Sequence, residues 1–130
     1  MIQFTILGSG TSTGVPLIGC SCKVCRSKHP RNHRLRASAW LQENKRSILI
    51  DTSTDLRQQA LREKIDHIDA ILFTHPHADH TAGLDELRSY NYIQKNTIPL
   101  FGNDWTLTEL KIRYPYIFNP GPILGEGFLD

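Results

Sequence analysis

The sequence feature that most constrains this chain is a cluster of metal-binding residue types, His75, His77, Asp79 and His80, within six residues. The cluster directly follows an apolar run at residues 70 to 73, which predicts a buried strand. Side chains two apart on an extended chain point to the same side, so we expect His75 and His77 to bind one cation. Asp79 and His80 lie on the loop beyond and face a second position, and imidazole beside carboxylate suits Zn, Mn or Fe. The cluster therefore predicts a site for two metal ions.

A single histidine near a strand end is usually an ordinary loop residue, and that explanation has to be weighed against a metal site. The chain has six histidines in 130 residues, and three of them fall in this one cluster. Titratable side chains gather in this way mostly at metal or catalytic sites. We therefore favour the metal site.

A second cluster of ligand-type residues consists of Cys20, Cys22 and Cys25, the only cysteines of the chain. Three soft thiolates within one loop suit a tetrahedral structural zinc ion, which needs one further ligand. Among nearby residues, His29 and His33 can supply it. An odd number of cysteines excludes a complete disulfide framework, and the chain begins with no secretory signal, so we expect a reducing, cytoplasmic compartment.

Two other interpretations of the cysteines stay open. Cys22 and Cys25 have the spacing of a redox pair, but their flanks read as loop rather than as a strand followed by a helix. The thiols can also be free groups on the surface. Structural zinc is the interpretation that the ligand spacing favours.

The arrangement His75-x-His77-x-Asp79-His80 after a hydrophobic strand resembles the metal-binding signature of the metallo-β-lactamase superfamily. The resemblance implies that His75 and His77 hold one metal and that Asp79 and His80 hold the other. It also implies that Asp79 orients the attacking hydroxide as a catalytic residue, and that Asp51 supports the site from behind. Strands and helices alternate along the chain, which predicts an α/β class; residues 1 to 130 then resemble the N-terminal part of the superfamily's αββα sandwich, as a single incomplete domain.

The glycine-rich segment at residues 8 to 16, which leads into the cysteines, narrows the resemblance. A glycine-rich segment followed by three closely spaced cysteines is similar to the sequences of the phosphodiesterase branch associated with phosphonate breakdown, a branch related to the tRNA-maturation endonucleases. The resemblance implies a structural zinc on Cys20, Cys22 and Cys25, with a histidine from later sequence as the fourth ligand. The glycine spacing does not fit a dinucleotide fingerprint or a P-loop, so we read it as a tight turn.

The activity implied by the resemblance is that of a metal-dependent hydrolase, a phosphodiesterase acting on small cyclic or nucleotide-like phosphodiesters. Two Zn or Mn ions would lower the pKa of a bridging water, hold the phosphate oxygens and neutralise charge during an in-line displacement. Lactone or thioester hydrolysis on the same fold is an alternative, because fold does not fix the substrate. A further alternative is a non-catalytic zinc-binding module.

Composition gives little support for a macromolecular partner. The formal net charge is +2, and the basic residues concentrate in the loop at residues 26 to 36, which we read as a solvated loop. No segment approaches membrane-spanning length. We therefore expect a small-molecule substrate rather than a nucleic acid or a membrane.

The predicted elements are strands at residues 2 to 7, 37 to 42, 47 to 51, 68 to 74 and 98 to 101. Helices are predicted from a cap at Thr54 and Asp55 to about residue 64, after residue 83, and around residues 105 to 114. Trp105, Leu110 and Tyr114 are expected in the core.

The chain contains no histidine after His80, whereas the resemblance implies that another His, a bridging Asp and a final His complete the metal centre. We therefore expect either a fragment or a shortened protein that completes its site from another subunit, as a homo-oligomer. The tail at residues 121 to 128 shows no closing helix pattern, which favours the fragment.

Overall fold

A mixed five-stranded sheet with the strand order β1-β2-β3-β4-β5 organises the protein, as seen in a computed structural model that describes residues 1–119. The first three strands are antiparallel neighbours, and β4 and β5 continue the sheet in parallel with β3. The strands are β1 (Ile2–Gly8), β2 (Ser38–Glu43), β3 (Arg46–Ile50), β4 (Ala70–Leu72) and β5 (Leu100–Phe101). All five predicted strands are present, and β4 and β5 are shorter than predicted.

In the described part of the chain, three α-helices and two 3₁₀ turns lie between the strands, and two further α-helices follow β5. The helices are α1 (Leu56–Glu63), α2 (Ala78–Thr81), α3 (Arg88–Gln94), α4 (Asp104–Arg113) and α5 (Pro115–Phe118), and the 3₁₀ turns are Pro30–Asn32 and Leu84–Leu87. None of these helices is long and apolar enough to cross a membrane. The predicted alternation of strands and helices is confirmed.

The hairpin between β2 and β3 has the predicted position. Glu43 pairs with Arg46, which leaves Asn44 and Lys45 as a two-residue turn. Asn44 has a φ of 56°, a left-handed conformation that asparagine tolerates well and that two-residue hairpin turns require. Local turn chemistry thus fixes the register of these strands.

The two faces of the sheet differ in what covers them. Trp40, Leu49, Ile71 and Leu100 form one row across four strands, and all four are buried in the core. The row on the opposite face runs from Ile6 through Ala39, Ile50 and Leu72 to Phe101. Its outer members are exposed, and so are Ile2 and Phe4 on the edge strand. Among the described residues, this apolar face is therefore left exposed toward both ends of the row, while Ala39 in its middle is buried.

The predicted capping role of Asp55 is wrong. Asp55 occupies the N-cap position of α1, but its side chain makes no capping hydrogen bond. Its carboxylate accepts instead from the backbone N–H of Arg36 at 2.8 Å and from the Arg36 guanidinium at 2.9 Å. A charged donor outcompetes the neutral helix N–H groups for this carboxylate, since charge-assisted hydrogen bonds are the stronger ones. The end of α1 agrees with the prediction, because Lys64 follows it in a left-handed conformation.

Helix α4 confirms two predicted core residues and corrects the third. Leu110 is fully buried and Tyr114 packs against the core, but Trp105 is 58% exposed. Thr106 and Leu110, four residues apart, define the buried side of the helix. Trp105 lies about 100° round the helix from Thr106 and therefore faces solvent. The tail at residues 121 to 128 lies outside the described residues.

Candidate metal centre

The histidine cluster lies where the parallel strands β3 and β4 end at one edge of the sheet. Strand β3 leads into Asp51, and β4 leads through the buried Phe73 into Thr74. Parallel neighbours bring the residues that follow them to the same edge, so Asp51 and Thr74 meet although they are 23 residues apart in sequence. The ends of these two strands therefore position the segments that contain the predicted ligands.

Asp51 contacts both Thr74 and His80 and so links the two segments of the site. It is only 4% exposed, and its φ of 60° is left-handed, a conformation that aspartate adopts more readily than most residues. One carboxylate oxygen accepts from the backbone N–H of Thr74 at 2.8 Å. The other accepts from the Thr74 hydroxyl at 2.8 Å and lies 2.7 Å from Nδ1 of His80. The buried carboxylate is thus fully used, and it stands behind His80 where the resemblance implies a supporting acidic residue.

His80 has one ring nitrogen directed to the Asp51 carboxylate and the other directed to the Asp79 carboxylate. An ionised carboxylate can only accept, so Nδ1 of His80 carries the hydrogen shared with Asp51. In the neutral ring, Nε2 then has a lone pair, and it lies 3.2 Å from a carboxylate oxygen of Asp79. Two acceptors this close require a proton or a cation between them. The pair therefore fits a divalent cation, which is the chemistry predicted for Asp79 and His80.

His75 is oriented by Thr74. The single hydroxyl hydrogen of Thr74 is donated to Asp51, so the 2.9 Å contact between Thr74 Oγ1 and Nδ1 of His75 has the ring as donor. That leaves Nε2 of His75 as the free ligand atom. Sequence reasoning assigned no role to Thr74, and its place immediately before His75 was the one available signal.

The three imidazoles of the cluster lie together. The centroid of the His75 ring is 4.7 Å from that of His77 and 4.1 Å from that of His80. His77 is exposed and is the N-cap residue of α2, where its backbone carbonyl accepts from the Thr81 hydroxyl at 3.0 Å. The short helix α2 then carries Asp79 and His80. All four predicted ligands are thus at one edge, and their division between two metals stays a prediction.

The turn after Asp51 is tied to the same loop. The backbone N–H of Thr52 donates to the His80 carbonyl at 2.8 Å, and that of Gly83 donates to the Thr52 carbonyl at 2.9 Å. A Cβ atom at Gly83 would lie 2.1 Å from the Ser53 carbonyl oxygen, so only glycine allows this approach. The segments that carry Asp51 and His80 are therefore joined through their backbones as well as their side chains.

The three cysteines form the second candidate site. One sulfur from each of Cys20, Cys22 and Cys25 lies within 4.8 Å of the others, and all three thiols are free. The Leu17 N–H donates to the sulfur of Cys25 and the Cys25 N–H to that of Cys22, each at 3.4 Å. The spacing and the donor chemistry fit one thiophilic cation such as zinc.

The electrostatics of the cluster favour a thiolate on the exposed Cys22. The Cys25 backbone N–H, followed by the neighbouring thiols, lowers the pKa of Cys22 to about 7. At Cys25 the Leu17 N–H acts in the same direction, but the two other thiols and burial outweigh it and raise the pKa. A metal ligand must be deprotonated, so the lowered pKa favours Cys22 as a ligand near neutral pH.

Neither of the two nearby histidines joins the thiols in the described part of the chain. Nδ1 of His29 accepts from the Arg31 N–H at 3.2 Å and caps the 3₁₀ turn, and Nε2 of His33 lies 2.9 Å from the Ser27 carbonyl. The group of ligand atoms found at this place contains the thiols alone. The local alternative for a fourth ligand is therefore not formed here.

Comparison with known proteins places this geometry in a family. The sequence profile of a protein family, described as the beta-lactamase superfamily domain, matches residues 46–126. The match covers more than half of the chain and includes the whole histidine cluster. An octanoyltransferase of Porphyromonas gingivalis is 42% identical over 125 residues, which are 95% of this chain but 25% of that protein.

Two solved structures are similar over nearly the whole chain. A diphosphatase described as new and from the PhnP family is 48% identical with a TM-score of 0.85, over 91% of this chain and 48% of that one. Zinc-bound PqqB from Methylobacterium extorquens is 25% identical with a TM-score of 0.76, over 93% and 43%. This chain thus spans about half the length of these structures or less. The predicted α/β class and metallo-β-lactamase fold are confirmed, and the chain belongs to the β-lactamase superfamily.

Proposed function

We propose that the complete protein is a metal-dependent hydrolase of small cyclic or nucleotide-like phosphodiesters. The observation that carries the proposal is the linked set Asp51, His80 and Asp79, in which a buried carboxylate orients an imidazole whose free nitrogen faces a second carboxylate. The 48% identity to a structure described as a diphosphatase supports phosphoryl chemistry. We also propose a cytoplasmic setting, a small-molecule substrate, and a homo-oligomer if another subunit completes the site.

The residues that would hold two Zn or Mn ions are His75 and His77 for one and Asp79 and His80 for the other. Such ions supply Lewis acidity toward the phosphate oxygens and make bound water more acidic. Imidazole nitrogen and carboxylate oxygen suit both metals. The thiols of the cysteine cluster suit a separate, structural zinc, which we propose stabilises the loop between β1 and β2.

The protein's own groups contribute orientation and proton handling. Asp51 fixes the ring of His80, and Thr74 fixes the ring of His75, so both ligand nitrogens are aimed before a cation arrives. The Asp79 side chain is 20% exposed and so reaches the solvent side of the site. There it can accept a hydrogen bond from the attacking water and orient it toward phosphorus.

Acyl chemistry is the second candidate. It is favoured by the 42% identity to a protein named as an octanoyltransferase, although this chain matches only 25% of that protein. A site built for a phosphodiester can also polarise the carbonyl of a lactone or thioester, since the same cations serve both reactions. If neither reaction occurs, both clusters belong to a non-catalytic zinc-binding module.

The test uses the complete protein, stripped of metal and reloaded with Zn or Mn, on a model phosphodiester, a lactone and a thioester. We expect the phosphodiester to be turned over fastest. His77→Ala and Asp79→Ala should each reduce turnover by about a thousandfold or more, because the lost charge stabilisation amounts to several kcal/mol. His29→Ala is the matched control, since this histidine lies outside the candidate site. Unchanged turnover in both site variants would contradict the catalytic assignment.

A further inference from the structure

The end of α4 and the start of α5 lie against the loop that carries the candidate metal ligands. Arg113, the last residue of α4, donates through Nη1 to the Pro76 carbonyl. The Tyr114 hydroxyl lies 3.5 Å from the Thr81 carbonyl as a possible donor to it. The Tyr116 hydroxyl donates to the Asp85 carboxylate at 3.3 Å. This segment therefore contacts both the metal-binding loop and the 3₁₀ turn that follows it.

The Arg113 contact is made at the peptide between two candidate ligands. Pro76 separates His75 from His77, and it is buried. Its carbonyl accepts from Arg113, while the Thr81 hydroxyl, which donates to the His77 carbonyl at 3.0 Å, lies 3.4 Å from it. This carbonyl belongs to the peptide that joins Pro76 to His77, so a donor fixed to it restrains the backbone between the two imidazoles.

The guanidinium is itself held in place. Nη2 of Arg113 lies 3.1 Å from the Glu109 carboxylate one turn earlier on α4, as an (i, i+4) ion pair. Arginine suits this arrangement because its planar fork can satisfy two acceptors at fixed angles. Glu109 also offsets the positive charge that would otherwise repel cations from the nearby site. The guanidinium thus bridges the Glu109 carboxylate of α4 and the Pro76 carbonyl of the loop.

We propose that Arg113 is a positioning residue for the metal centre, which acts through Pro76 to hold His75 and His77 at the spacing that a shared cation requires. Metal affinity depends strongly on such supporting contacts, because ligands that are not held must be ordered when the cation binds. This inference rests on the proposed function, since it concerns the same histidines. If Arg113 acted only through its positive charge, the guanidinium would weaken metal binding, and its removal would strengthen binding. A positioning role predicts the opposite, a weaker binding when Arg113 is removed.

The experiment follows the ring signals of His75, His77 and His80 by ¹⁵N NMR while Mn²⁺ is added to the complete protein, prepared free of metal. Manganese is chosen because it prefers nitrogen and oxygen ligands over the thiols of the cysteine cluster. The variants are Arg113→Met, which removes the donor, and Arg113→Lys, which retains a charged donor. Arg88→Met is the matched control. Arg88 is an exposed arginine, and its guanidinium pairs with the Asp85 carboxylate at 3.6 Å rather than with the Pro76 carbonyl.

We expect Arg113→Met to raise the Mn²⁺ concentration for half-broadening of the His75 and His77 signals by about tenfold, at the low end of effects seen for supporting contacts. Arg113→Lys should recover most of this loss, and Arg88→Met should resemble the unaltered chain. An unchanged or tighter response of Arg113→Met would overturn the proposal. An equal weakening in Arg88→Met would overturn it as well, because the effect would then be a general loss of arginine charge or stability.

Amide hydrogen exchange separates a failure of this proposal from a failure of the proposed function. If Mn²⁺ leaves all three rings of the unaltered chain untouched, the metal-centre proposal fails. The positioning role is still decided, because the N–H groups of His80 and Ala82 are hydrogen bonded within the loop at 3.0 and 2.8 Å. Faster exchange of these amides in Arg113→Met than in Arg88→Met supports the role, and equal exchange refutes it.

Discussion

The cysteine cluster and the histidine cluster each bring their ligand types together within six residues of sequence, yet the structure builds them in different ways. The three thiols lie within 4.8 Å of one another on an exposed loop, and the donors to their sulfurs are backbone N–H groups of the same loop. The His80 ring is aimed instead by Asp51, and the His75 ring by Asp51 through Thr74, and a different strand delivers Asp51 from 24 residues before His75 in the chain. The first geometry is local, and the second depends on the sheet.

The difference indicates what should disturb each site. A local cluster is lost mainly by changing a ligand, whereas a cluster oriented through the sheet can also be lost by changing a residue that touches no metal. Each of the following predictions tests this contrast, beginning with the largest expected effect.

Asp51→Asn should damage the histidine site and spare the cysteine site. Asparagine also tolerates the left-handed backbone, so the change isolates the carboxylate. Only one of its side-chain atoms can accept, and its NH₂ group must then face a donor of Thr74 or His80. We expect a loss of about 3 kcal/mol in the free energy of unfolding and a weakening of Mn²⁺ binding by about tenfold to a hundredfold.

Denaturant unfolding and Mn²⁺ titration measure the two effects. Asp69→Asn is the control, because the Asp69 carboxylate, in the loop before β4, accepts from the backbone N–H of Ser47 on β3 at 2.7 Å rather than from a group of the site. Equal Mn²⁺ affinity in the two variants would remove Asp51 from its central role.

Cys22→Ser should show the reverse pattern. If the thiols bind structural zinc, the variant should lose the stabilisation that zinc gives, which is about 2.7 kcal/mol at a free zinc concentration a hundredfold above Kd. Zinc content and melting temperature are measured with and without a chelator, beside Ser21→Ala as a neighbouring loop change. A variant that keeps its zinc and its melting temperature would return the cysteines to the surface-thiol interpretation.

Thr74→Val tests the weaker link of the histidine site. Valine keeps the shape but removes the hydroxyl that connects His75 to Asp51. We expect a loss of about 1 kcal/mol in stability, typical of a hydrogen bond, and a few-fold weaker Mn²⁺ binding. Thr13→Val is the control, since the Thr13 hydroxyl contacts Thr11 at 3.1 Å in the glycine-rich loop. No difference between the two variants would mean that His75 is oriented without Thr74.

The smallest effect is expected at His67, a histidine outside both clusters. The hydrogen bond between His67 and Asp66 raises the pKa of His67 above its usual value, and the contact with the Lys45 carbonyl acts in the same direction. The bond to His67 also lowers the pKa of Asp66. A raised folded pKa stabilises the fold below the unfolded value of about 6.5, and this stability is lost as pH rises through the folded pKa. The Asp66 contribution is lost in the opposite direction, as pH falls through its lowered folded pKa.

A comparison of the unaltered chain with His67→Gln at about pH 5.5 and about pH 9 measures this effect. The stability difference should be larger at the lower pH and small at the higher one. The pair is solvent exposed, so added salt should reduce the difference. A difference that grows with pH would show that the neutral ring is the stabilising form.

The sequence predicted the features that depend on neighbours along the chain. The hairpin at Asn44 and the end of α1 follow from local residue patterns, and so does the proximity of the four predicted ligands in the histidine cluster, whose binding of metal stays a prediction. Sequence patterns did not show that Thr74 orients His75, that Asp55 pairs with Arg36 rather than capping α1, or that Trp105 faces solvent. Each of these depends on which distant residue the fold brings close, and neither periodicity nor spacing contains that information.

The apolar row from Ile6 to Phe101, whose ends are exposed in the part of the chain that the structure describes, also affects the handling of the chain. It crosses all five strands, so at about 4.8 Å per strand spacing it is about 19 Å wide, and β1 adds Ile2 and Phe4 at one border. Exposed apolar surface of this extent promotes association in water. A preparation of these 130 residues alone should therefore lose solubility as its concentration rises. Charged substitutions at Phe4 and Phe101 would relieve that loss without touching either ligand cluster.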